Sequence, residues 1–248
     1  MKNITVFITP VKQYDERTST ILKIWIENSV ELGWNKEDLI LINNFPWEYS
    51  GVKSFVVSDD NYVTFRPGSS KTVSISNLLE TDFFKDEELY WIHDPDAFQM
   101  EVITHDEISN ILGKADVGFT DYGHKPRWSM GSYFLRNTSK DIFKKIRETI
   151  FRREEEKLHS EDESALTELT DGNIENINQR IVRMNVRYNF GTRRLIKKWE
   201  RAEKPIKVLH FRPFKNGLLD IYMYGKNELG FPIMNDRLRK VFENNGVK

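Results

Sequence analysis

The sequence predicts an α/β fold with a mixed, mostly parallel sheet flanked by helices. Short apolar runs rich in β-branched residues alternate with longer amphipathic segments over the first hundred residues. Proline and glycine fall between these segments, where turns are expected. The 248 residues, 39% of them hydrophobic, are enough to bury a substantial core. Since no repeat or linker interrupts the chain, we predict one domain over residues 1–248, with irregular decoration at its C-terminal end.

The first hundred residues account for most of the predicted sheet. Their strands are apolar runs of strand length, and their helices place apolar residues at i, i+3 and i+4. Pro10 ends the first strand and Gly33 ends the first helix. In chain order we predict a strand at 3–9, a helix at 15–33, strands at 39–43 and 53–57, a helix that opens at 67–70 and runs to 79, and a strand at 88–93.

The remainder of the chain carries longer helices and a less regular end. An apolar stripe of Ile142, Phe143, Ile146 and Ile150 predicts a long amphipathic helix whose charged face meets solvent. In chain order we predict a helix near 105–112, strands at 116–120 and 132–137, helices at 139–158 and 161–170, and strand-like segments at 180–186 and 207–211.

Composition excludes several kinds of protein. The chain contains no cysteine, which excludes disulfides, thiolate metal sites and a cysteine nucleophile. Its net charge of −1 argues against a protein that coats nucleic acid. The N-terminal apolar run is too short for a signal peptide, and no run of 18 apolar residues occurs. We therefore expect a cytoplasmic protein without a transmembrane segment.

Two carboxylates, Asp94 and Asp96, directly follow the predicted strand at 88–93. In parallel sheets, ligands bind beyond the carboxyl ends of the strands, and the loops at 9–17, 58–70 and 94–99 would share that edge. Two neighbouring carboxylates repel each other unless a cation compensates them, and Mg²⁺ or Mn²⁺ prefers such oxygen ligands. The alternative is a plain surface turn, because Asp and Pro are common turn residues.

About ninety residues of α/β alternation end in a strand, and Asp94-Pro95-Asp96 and further apolar residues follow it directly. This order of features resembles the metal-binding motif of GT-A-fold glycosyltransferases. The stretch 128–136, with Gly131 before three apolar residues and Arg136, is similar to a glycine-containing strand of that family. The resemblance covers residues 3 to about 215. It implies a GT-A-like, Rossmann-like fold, with Mn²⁺ or Mg²⁺ at Asp94 and Asp96 binding the diphosphate of a nucleotide sugar. Residues 1–100 would then bind the donor, and residues 101–248 the acceptor.

The resemblance also implies residues for catalysis and for the metal. An acidic residue at a helix start is expected to act on the acceptor, and Asp162 is the first candidate, with Glu161 and Glu163 second. An inverting enzyme would use it as the base, whereas a retaining one would not need a base there. A late histidine is expected as a further metal ligand, and His210 occupies that place, although a buried core histidine is the alternative. Arg212-Pro213 departs from the family's usual continuation.

A site for a nucleoside diphosphate also needs positive charge beside the diphosphate. It needs a surface on which the base can stack and hydrogen-bond partners for the ribose. Arg66 and Lys71 lie at the start of the predicted helix after the third strand, where free backbone N–H groups add to their charge. A solvated surface position is the alternative for Lys71. The remaining candidates are Thr9 and Val11 for backbone contacts to the base, Tyr14 for stacking on it, and Asp59 or Asp60 for the ribose hydroxyls or the uracil N–H.

The predicted function is transfer of a sugar from a UDP-sugar to a hydroxyl acceptor on a glycan or glycoconjugate. The segment 187–199 mixes basic and aromatic residues, which suits an anionic acceptor or peripheral contact with a membrane, and a solvated helix surface is the alternative. Other readings stay open: a phage-type DNA-base glycosyltransferase, another metal-dependent phosphoryl or nucleotidyl transferase, or a non-catalytic protein that binds sugar or nucleic acid.

Overall fold

The computed structural model describes residues 1–121, 127–191, 195–215 and 217–247. The strands in these ranges are β1 (Lys2–Val6), β2 (Leu39–Asn43), β3 (Glu48–Tyr49), β4 (Val52–Val56), β5 (Leu89–His93), β6 (Ala97–Gln99), β7 (Val117–Asp121), β8 (Trp128–Arg136), β9 (Ile181–Arg183), β10 (Phe190–Gly191) and β11 (Val208–His210). The helices are α1 (Glu16–Glu31), α2 (Ser70–Leu79), α3 (His105–Leu112), α4 (Lys140–Glu155), α5 (Asp162–Asp171), α6 (Leu195–Arg201), α7 (Leu218–Met223) and α8 (Asp236–Asn244).

Most strands form one large sheet with the order β3-β4-β2-β1-β5-β8-β7-β9. The strands β4, β2, β1 and β5 are parallel to one another, and β9 is parallel to β7. The β8 strand runs antiparallel to both β5 and β7, and β3 runs antiparallel to β4. The predicted α/β fold with a mixed, mostly parallel sheet is therefore confirmed, and the carboxyl ends of β1, β4 and β5 share one edge.

A small sheet of three strands has the order β10-β11-β6. The central β11 strand is parallel to β10 and antiparallel to β6. Between β5 of the large sheet and β6 of the small sheet lie only Asp94, Pro95 and Asp96. The Asp-x-Asp turn is therefore a direct, three-residue covalent link between the two sheets.

Helices cover both faces of the large sheet. Side chains of successive strand residues point to opposite faces, so Ile42 packs in the cluster that includes α2, α4 and α5, whereas Leu41 packs in the cluster that includes α1. The small sheet has a hydrophobic core of its own with α6, α7 and α8. Its buried members include Phe98, Phe190, Leu209, Phe211, Tyr222, Met223, Leu238 and Phe242.

Side-chain caps explain where several helices begin. The Thr18 backbone N–H donates to Asp15 at 2.7 Å at the start of α1, and the Glu107 N–H donates to Thr104 at the start of α3. Within the described ranges, none of the helices combines the length and the apolar character that crossing a membrane requires.

Some predicted boundaries shift for identifiable reasons. The strand predicted at 3–9 ends at Val6, because the Thr9 backbone N–H leaves the sheet and donates to the Asn44 side chain at 3.1 Å. The segment predicted at 180–186 keeps strand geometry only at Ile181–Arg183, since Val186–Tyr188 turns into a 3₁₀ helix. The strands β3, β6 and β10 and the helices α7 and α8 were not predicted.

Candidate active site

The turn after β5 and the end of β11 bring three potential metal ligands together. The His210 Nε2 atom lies 3.3 Å from an oxygen of Asp94 and 3.3 Å from an oxygen of Asp96. One ligand atom from each residue lies within 4.8 Å of the others. Pairing of His210 with Ala97 in the small sheet places the histidine beside the turn, and the Phe211 N–H donates to the Asp96 carbonyl at 3.0 Å. The sequence-predicted trio therefore converges.

Asn189 fixes how the His210 ring is presented. The Asn189 side-chain nitrogen donates to the Ser129 hydroxyl at 2.9 Å, which leaves its side-chain oxygen free to accept. That oxygen lies 2.9 Å from His210 Nδ1, so Nδ1 carries a proton and donates to it. Nε2 then faces the carboxylates. A hydrogen bond to the far ring nitrogen is the usual way in which proteins orient a metal-binding histidine.

Gly131 in β8 makes room for the same ring. A Cβ atom at this position would lie 2.0 Å from His210 Cε1, a separation that no packing tolerates. The Gly131 carbonyl also accepts a hydrogen bond from the Asp94 backbone N–H at 2.8 Å. Gly131 thus touches both sides of the cluster, which gives a physical reason for the glycine in the stretch 128–136.

Lys71 compensates the carboxylates from the other side. Its ammonium lies 2.5 Å from Asp94 Oδ1 and donates to the Met130 carbonyl at 2.6 Å, and the residue is only 6% exposed. Burial opposes the ionisation of Asp94, but Lys71 and His210 outweigh it and lower the pKa of Asp94. Burial alone would lower the pKa of His210, yet Asp94 and Asp96 raise it to about 9. The solvated-surface alternative for Lys71 is therefore wrong.

The donor set fits a hard divalent cation. Two carboxylates and one imidazole nitrogen suit Mn²⁺ or Mg²⁺ and leave coordination positions for water or phosphate oxygens. Without such an ion, a protonated His210 and Lys71 balance the two carboxylates. The core-histidine alternative fits less well, because the ring faces charged groups and is 21% exposed.

A cavity of about 460 Å³ opens directly over this cluster at the carboxyl edge of the large sheet. Its walls come from the end of β1, from α1, from the start of α2 and from the Asp-x-Asp turn. The residues that line it are Val6, Phe7, Ile8, Thr18, Ile21, Pro67, Gly68, Ser70, Lys71, Asp94, Pro95, Asp96, His210 and Arg212. We call it the donor cavity, because the resemblance to GT-A-fold glycosyltransferases implies that a nucleotide sugar would bind at this edge of the sheet.

The loops beside the donor cavity hold a hydrogen-bonded group around Asn44. Its side chain accepts from the Thr9 N–H and donates to the Thr9 carbonyl at 2.9 Å and to Asp59 at 2.8 Å. Asp59 also pairs with Lys12 at 2.7 Å, whereas Asp60 accepts from the Ser58 hydroxyl at 2.9 Å. Thr9 and Asp59, both candidates from the sequence, are thus tied together by a residue that the sequence did not single out.

Tyr14 and Val11, the other nucleoside candidates, are placed differently. The Tyr14 ring packs edge-on against Phe7, Phe45 and Trp47, and its hydroxyl accepts from the Asn43 side chain at 2.8 Å. Val11 is 66% exposed. The structure therefore holds Tyr14 within an aromatic cluster and leaves Val11 open to a partner.

The three acidic candidates at the start of α5 have different hydrogen-bond and ion-pair partners. Asp162 accepts from Thr72 of α2 at 2.7 Å, next to Lys71; burial raises its pKa and the Lys71 charge offsets this only in part. Glu161 pairs with Arg66. Glu163 accepts from the Met130 N–H at 3.1 Å. Asp162 is therefore the acid that lies beside Lys71, and Arg66 is engaged by Glu161 rather than by the cluster of Asp94, Asp96 and His210.

The segment 187–199 is less open than its composition suggested. Tyr188, Phe190 and Lys198 are buried, and Arg187 pairs with Glu107 at 3.1 Å. These four side chains are not available to a membrane, and they therefore do not support the predicted membrane contact. Residues 192–194 of the segment lie outside the described residues.

Comparison with protein-family models gives no match, and neither does comparison with curated protein sequences. Solved structures do match. The galactosyltransferase LgtC, in complex with donor and acceptor sugar analogues, gives a TM-score of 0.63 at 12% identity over 99% of this chain and 95% of its own. The glycosyltransferase GlyE of Streptococcus pneumoniae gives 0.57 at 14% identity, over 98% of this chain and 60% of GlyE.

Mouse xyloside xylosyltransferase 1 gives a TM-score of 0.50 at 11% identity, over 84% of this chain and 96% of its own. These structural neighbours are GT-A-type glycosyltransferases. The chain therefore has the GT-A fold that the resemblance implied.

Proposed function

We propose that the protein is a metal-dependent glycosyltransferase that moves a sugar from a nucleoside diphosphate sugar, with a UDP-sugar as the first to test, to a hydroxyl group of a glycan or glycoconjugate. One observation carries this proposal: Asp94, Asp96 and His210 converge at the floor of the donor cavity. The fold supports it, since the matching structures with this architecture are glycosyltransferases.

Asp94, Asp96 and His210 would hold Mn²⁺ or Mg²⁺ in this enzyme. A bound divalent ion would neutralise negative charge that develops on the leaving diphosphate. Lys71 and Arg212 also line the donor cavity and would contribute positive charge to the same group. The start of α2 adds backbone N–H groups, which favour a phosphate at a helix N-terminus.

Asp162 is our candidate for the carboxylate that acts on the reacting sugar. It is held by Thr72 and by the Glu163 backbone N–H, so its position is fixed before substrate arrives. Because it lies beside Lys71 on the donor side, we propose that it stabilises positive charge that builds up on the sugar ring. The alternative is that it takes the proton from the acceptor hydroxyl.

Binding of UDP with Mn²⁺ tests the proposed function. We expect UDP and Mn²⁺ together to raise the melting temperature, and slow hydrolysis of one member of a panel of UDP-, GDP- and CDP-sugars. Asp94→Ala should abolish both effects, whereas Asp106→Ala, which changes an exposed acid on α3, should abolish neither. Absence of any nucleotide effect in the wild-type protein would refute the proposal in favour of a non-catalytic binder.

Asp162→Asn separates the two roles of that residue. If Asp162 stabilises the sugar cation, the variant should lose donor hydrolysis and transfer to the same extent. If Asp162 is instead the base for the acceptor, transfer should fall while slow donor hydrolysis persists, because water needs no positioned acceptor. Thr72→Val is a matched control that keeps the carboxylate but removes its hydrogen bond.

Two other predicted functions receive less support. A phosphoryl or nucleotidyl transferase with two metals needs a second ligand group, and the described residues contain Asp94, Asp96 and His210 as the one such group. Nothing in the described part of the chain favours DNA as the acceptor.

A further inference from the structure

The Asn44 side chain replaces a backbone partner at the end of the first strand. In a parallel pair of strands, backbone hydrogen bonds recur at every second residue, and the Phe7 N–H donates to the Ile42 carbonyl at 2.9 Å. The next bond of this series would join the Thr9 N–H to the Asn44 backbone carbonyl. The side-chain oxygen of Asn44 accepts from the Thr9 N–H instead, at 3.1 Å. The Asn44 side chain thus continues the ladder beyond the end of β1.

The Asn44 amide engages both backbone groups of Thr9. Its nitrogen donates to the Thr9 carbonyl at 2.9 Å and to Asp59 Oδ1 at 2.8 Å, and these two oxygens can only accept. The partners of the amide therefore determine its orientation. Asp59 also pairs with Lys12 at 2.7 Å, which holds the chain after Thr9 from the same side. Asn44 is only 5% exposed, so water competes little for its bonds to Thr9.

These bonds determine which way the Ile8 backbone faces. Successive residues of an extended strand direct their backbone N–H and carbonyl groups to opposite edges of the strand. Since Phe7 and Thr9 face β2, Ile8 faces the side on which β5 pairs with β1. The last residue of β5 is His93, so no strand lies beside Ile8. Ile8 and Pro95, two residues after the end of β5, line the donor cavity together.

The Ile8 N–H and carbonyl are available to a ligand in that cavity. Within the described ranges neither group has a hydrogen-bond partner, although the residue is only 8% exposed. Backbone groups in such a position are satisfied by water or by a bound molecule. A donor beside an acceptor pairs with a ring that presents a carbonyl oxygen beside an N–H. Uracil and guanine have such an edge, whereas cytosine and adenine have an unprotonated ring nitrogen in place of the N–H.

We infer that Asn44 is a positioning residue for the nucleoside of the donor. The Ile8 backbone, which Asn44 directs into the donor cavity through Thr9, binds a base with an N–H beside a carbonyl oxygen. This inference rests on the proposed function and specifies the base as uracil or guanine. Asn44 does not itself line the donor cavity, so its effect on the base is indirect. A change at Asn44 should therefore alter base selectivity as well as affinity.

Calorimetric titration of the Mn²⁺-saturated protein with UDP, CDP, GDP and ADP tests the base preference. We expect UDP to bind at least about tenfold more tightly than CDP, or GDP than ADP, because the wrong base leaves the Ile8 carbonyl without a donor. Comparison within each pair cancels the contributions of the diphosphate, the ribose and the ring size. The tighter of UDP and GDP identifies the base.

Asn44→Ala removes the support of Thr9 and should lower the affinity for the preferred nucleotide by about tenfold. Its preference over the paired nucleotide should fall by at least about threefold, because the Ile8 groups are no longer held in place. The Mn²⁺ affinity of the nucleotide-free protein should not change. Asn43→Ala is the matched control, since it removes a neighbouring buried amide that donates to the Tyr14 hydroxyl at 2.8 Å. It should keep the base preference.

Asn44→Asp covers the case in which Asn44→Ala does not fold. It keeps an acceptor for the Thr9 N–H but loses the donor to the Thr9 carbonyl and adds a carboxylate beside Asp59. We expect it to lower the base preference in the same direction as Asn44→Ala.

Three results would overturn the inference. They are equal or reversed binding within both nucleotide pairs, an unchanged base preference in the Asn44 variants, and an equal loss of preference in Asn43→Ala. If no nucleoside diphosphate binds, the proposed function fails as well. Binding of nucleoside diphosphates without a base preference would contradict the inference alone and leave the proposed function standing.

Discussion

The large sheet and the small sheet contribute to the candidate site in different ways. In the large sheet, β5 ends at His93, directly before Asp94, and helices cover both faces of this sheet. The small sheet consists of strands of two or three residues, and its central strand ends at His210. The large sheet therefore holds Asp94 next to a strand that is packed between two layers of helices. The small sheet holds His210 in a short strand that is fixed by a few backbone hydrogen bonds.

The difference implies that folding and metal binding can be separated experimentally. The Asp-x-Asp turn joins the two sheets, so a cation bound by Asp94, Asp96 and His210 would tie them together at that point. Changes at the end of β5 remove charge from the cluster itself. Changes at β11 or at its support in β8 alter only how the histidine meets the carboxylates.

The largest effect is expected from the large-sheet side, with Asp94→Asn. The variant loses an anionic ligand and leaves the buried Lys71 ammonium without its carboxylate, so both Mn²⁺ binding and stability should suffer. We expect donor hydrolysis and Mn²⁺ affinity to fall by more than about 100-fold, measured by a turnover assay and by calorimetry. Asp106→Asn is the control. Wild-type Mn²⁺ affinity in Asp94→Asn would remove Asp94 from the site.

His210→Gln probes the small-sheet side. We expect Mn²⁺ affinity to fall by roughly 10- to 100-fold, because one ligand of three is lost while both carboxylates remain. The fold should persist, since the ring is partly exposed and meets charged groups rather than the hydrophobic core. Circular dichroism and calorimetry together decide the outcome. Global unfolding, or unchanged Mn²⁺ affinity beside the exposed control His105→Gln, would favour a core histidine.

A pair of glycine substitutions compares the support of the two regions. In Gly131→Ala the new methyl group meets the His210 ring, so Mn²⁺ affinity should fall by about tenfold as the ring turns away. In Gly118→Ala of β7 the methyl group meets Met184 Sδ at 2.5 Å. This should cost about 1–3 kcal/mol of stability and leave Mn²⁺ affinity alone. Equal Mn²⁺ affinities in the two variants would contradict the role of Gly131.

Sequence patterns predicted the large sheet far better than the small one. Runs such as Leu39–Asn43 and Leu89–His93 carry enough residues to show strand character, and the alternation with helices fixes a parallel order. In the small sheet, the strand-like segment predicted at 207–211 forms β11, whereas Ala97–Gln99 and Phe190–Gly191 are too short to carry a period. Their pairing depends on contacts with the chain after the Asp-x-Asp turn, which no local pattern records.

The candidate site shows the same limit at the level of single residues. Asp94, Asp96 and His210 were predicted from motif order, and the structure brings them together. Asn189 was missed because its role is to orient another side chain, and such a role has no sequence pattern. Lys198 was read as part of a basic surface segment, since burial of a lysine depends on tertiary packing.

The smallest effect is expected at the two acidic residues that we predicted to contact the nucleoside, Asp59 and Asp60, which differ in their hydrogen-bond partners. Asp59 belongs to the Asn44 group and Asp60 does not. Asp59→Asn should lower UDP affinity by about threefold, the value of one hydrogen bond to a ribose hydroxyl or base N–H, without changing Mn²⁺ affinity.

Asp60→Asn should leave both affinities unchanged. Loss of the exposed Lys12 pair in Asp59→Asn should hardly affect stability, so the melting temperature of the nucleotide-free protein serves as the control. If the two variants bind UDP equally, neither carboxylate contacts the nucleoside. Donor recognition would then depend on the backbone around Thr9 and on the charged groups of the cluster of Asp94, Asp96 and His210. In that case the turn between the two sheets would control binding of the whole donor, the nucleoside as well as the diphosphate.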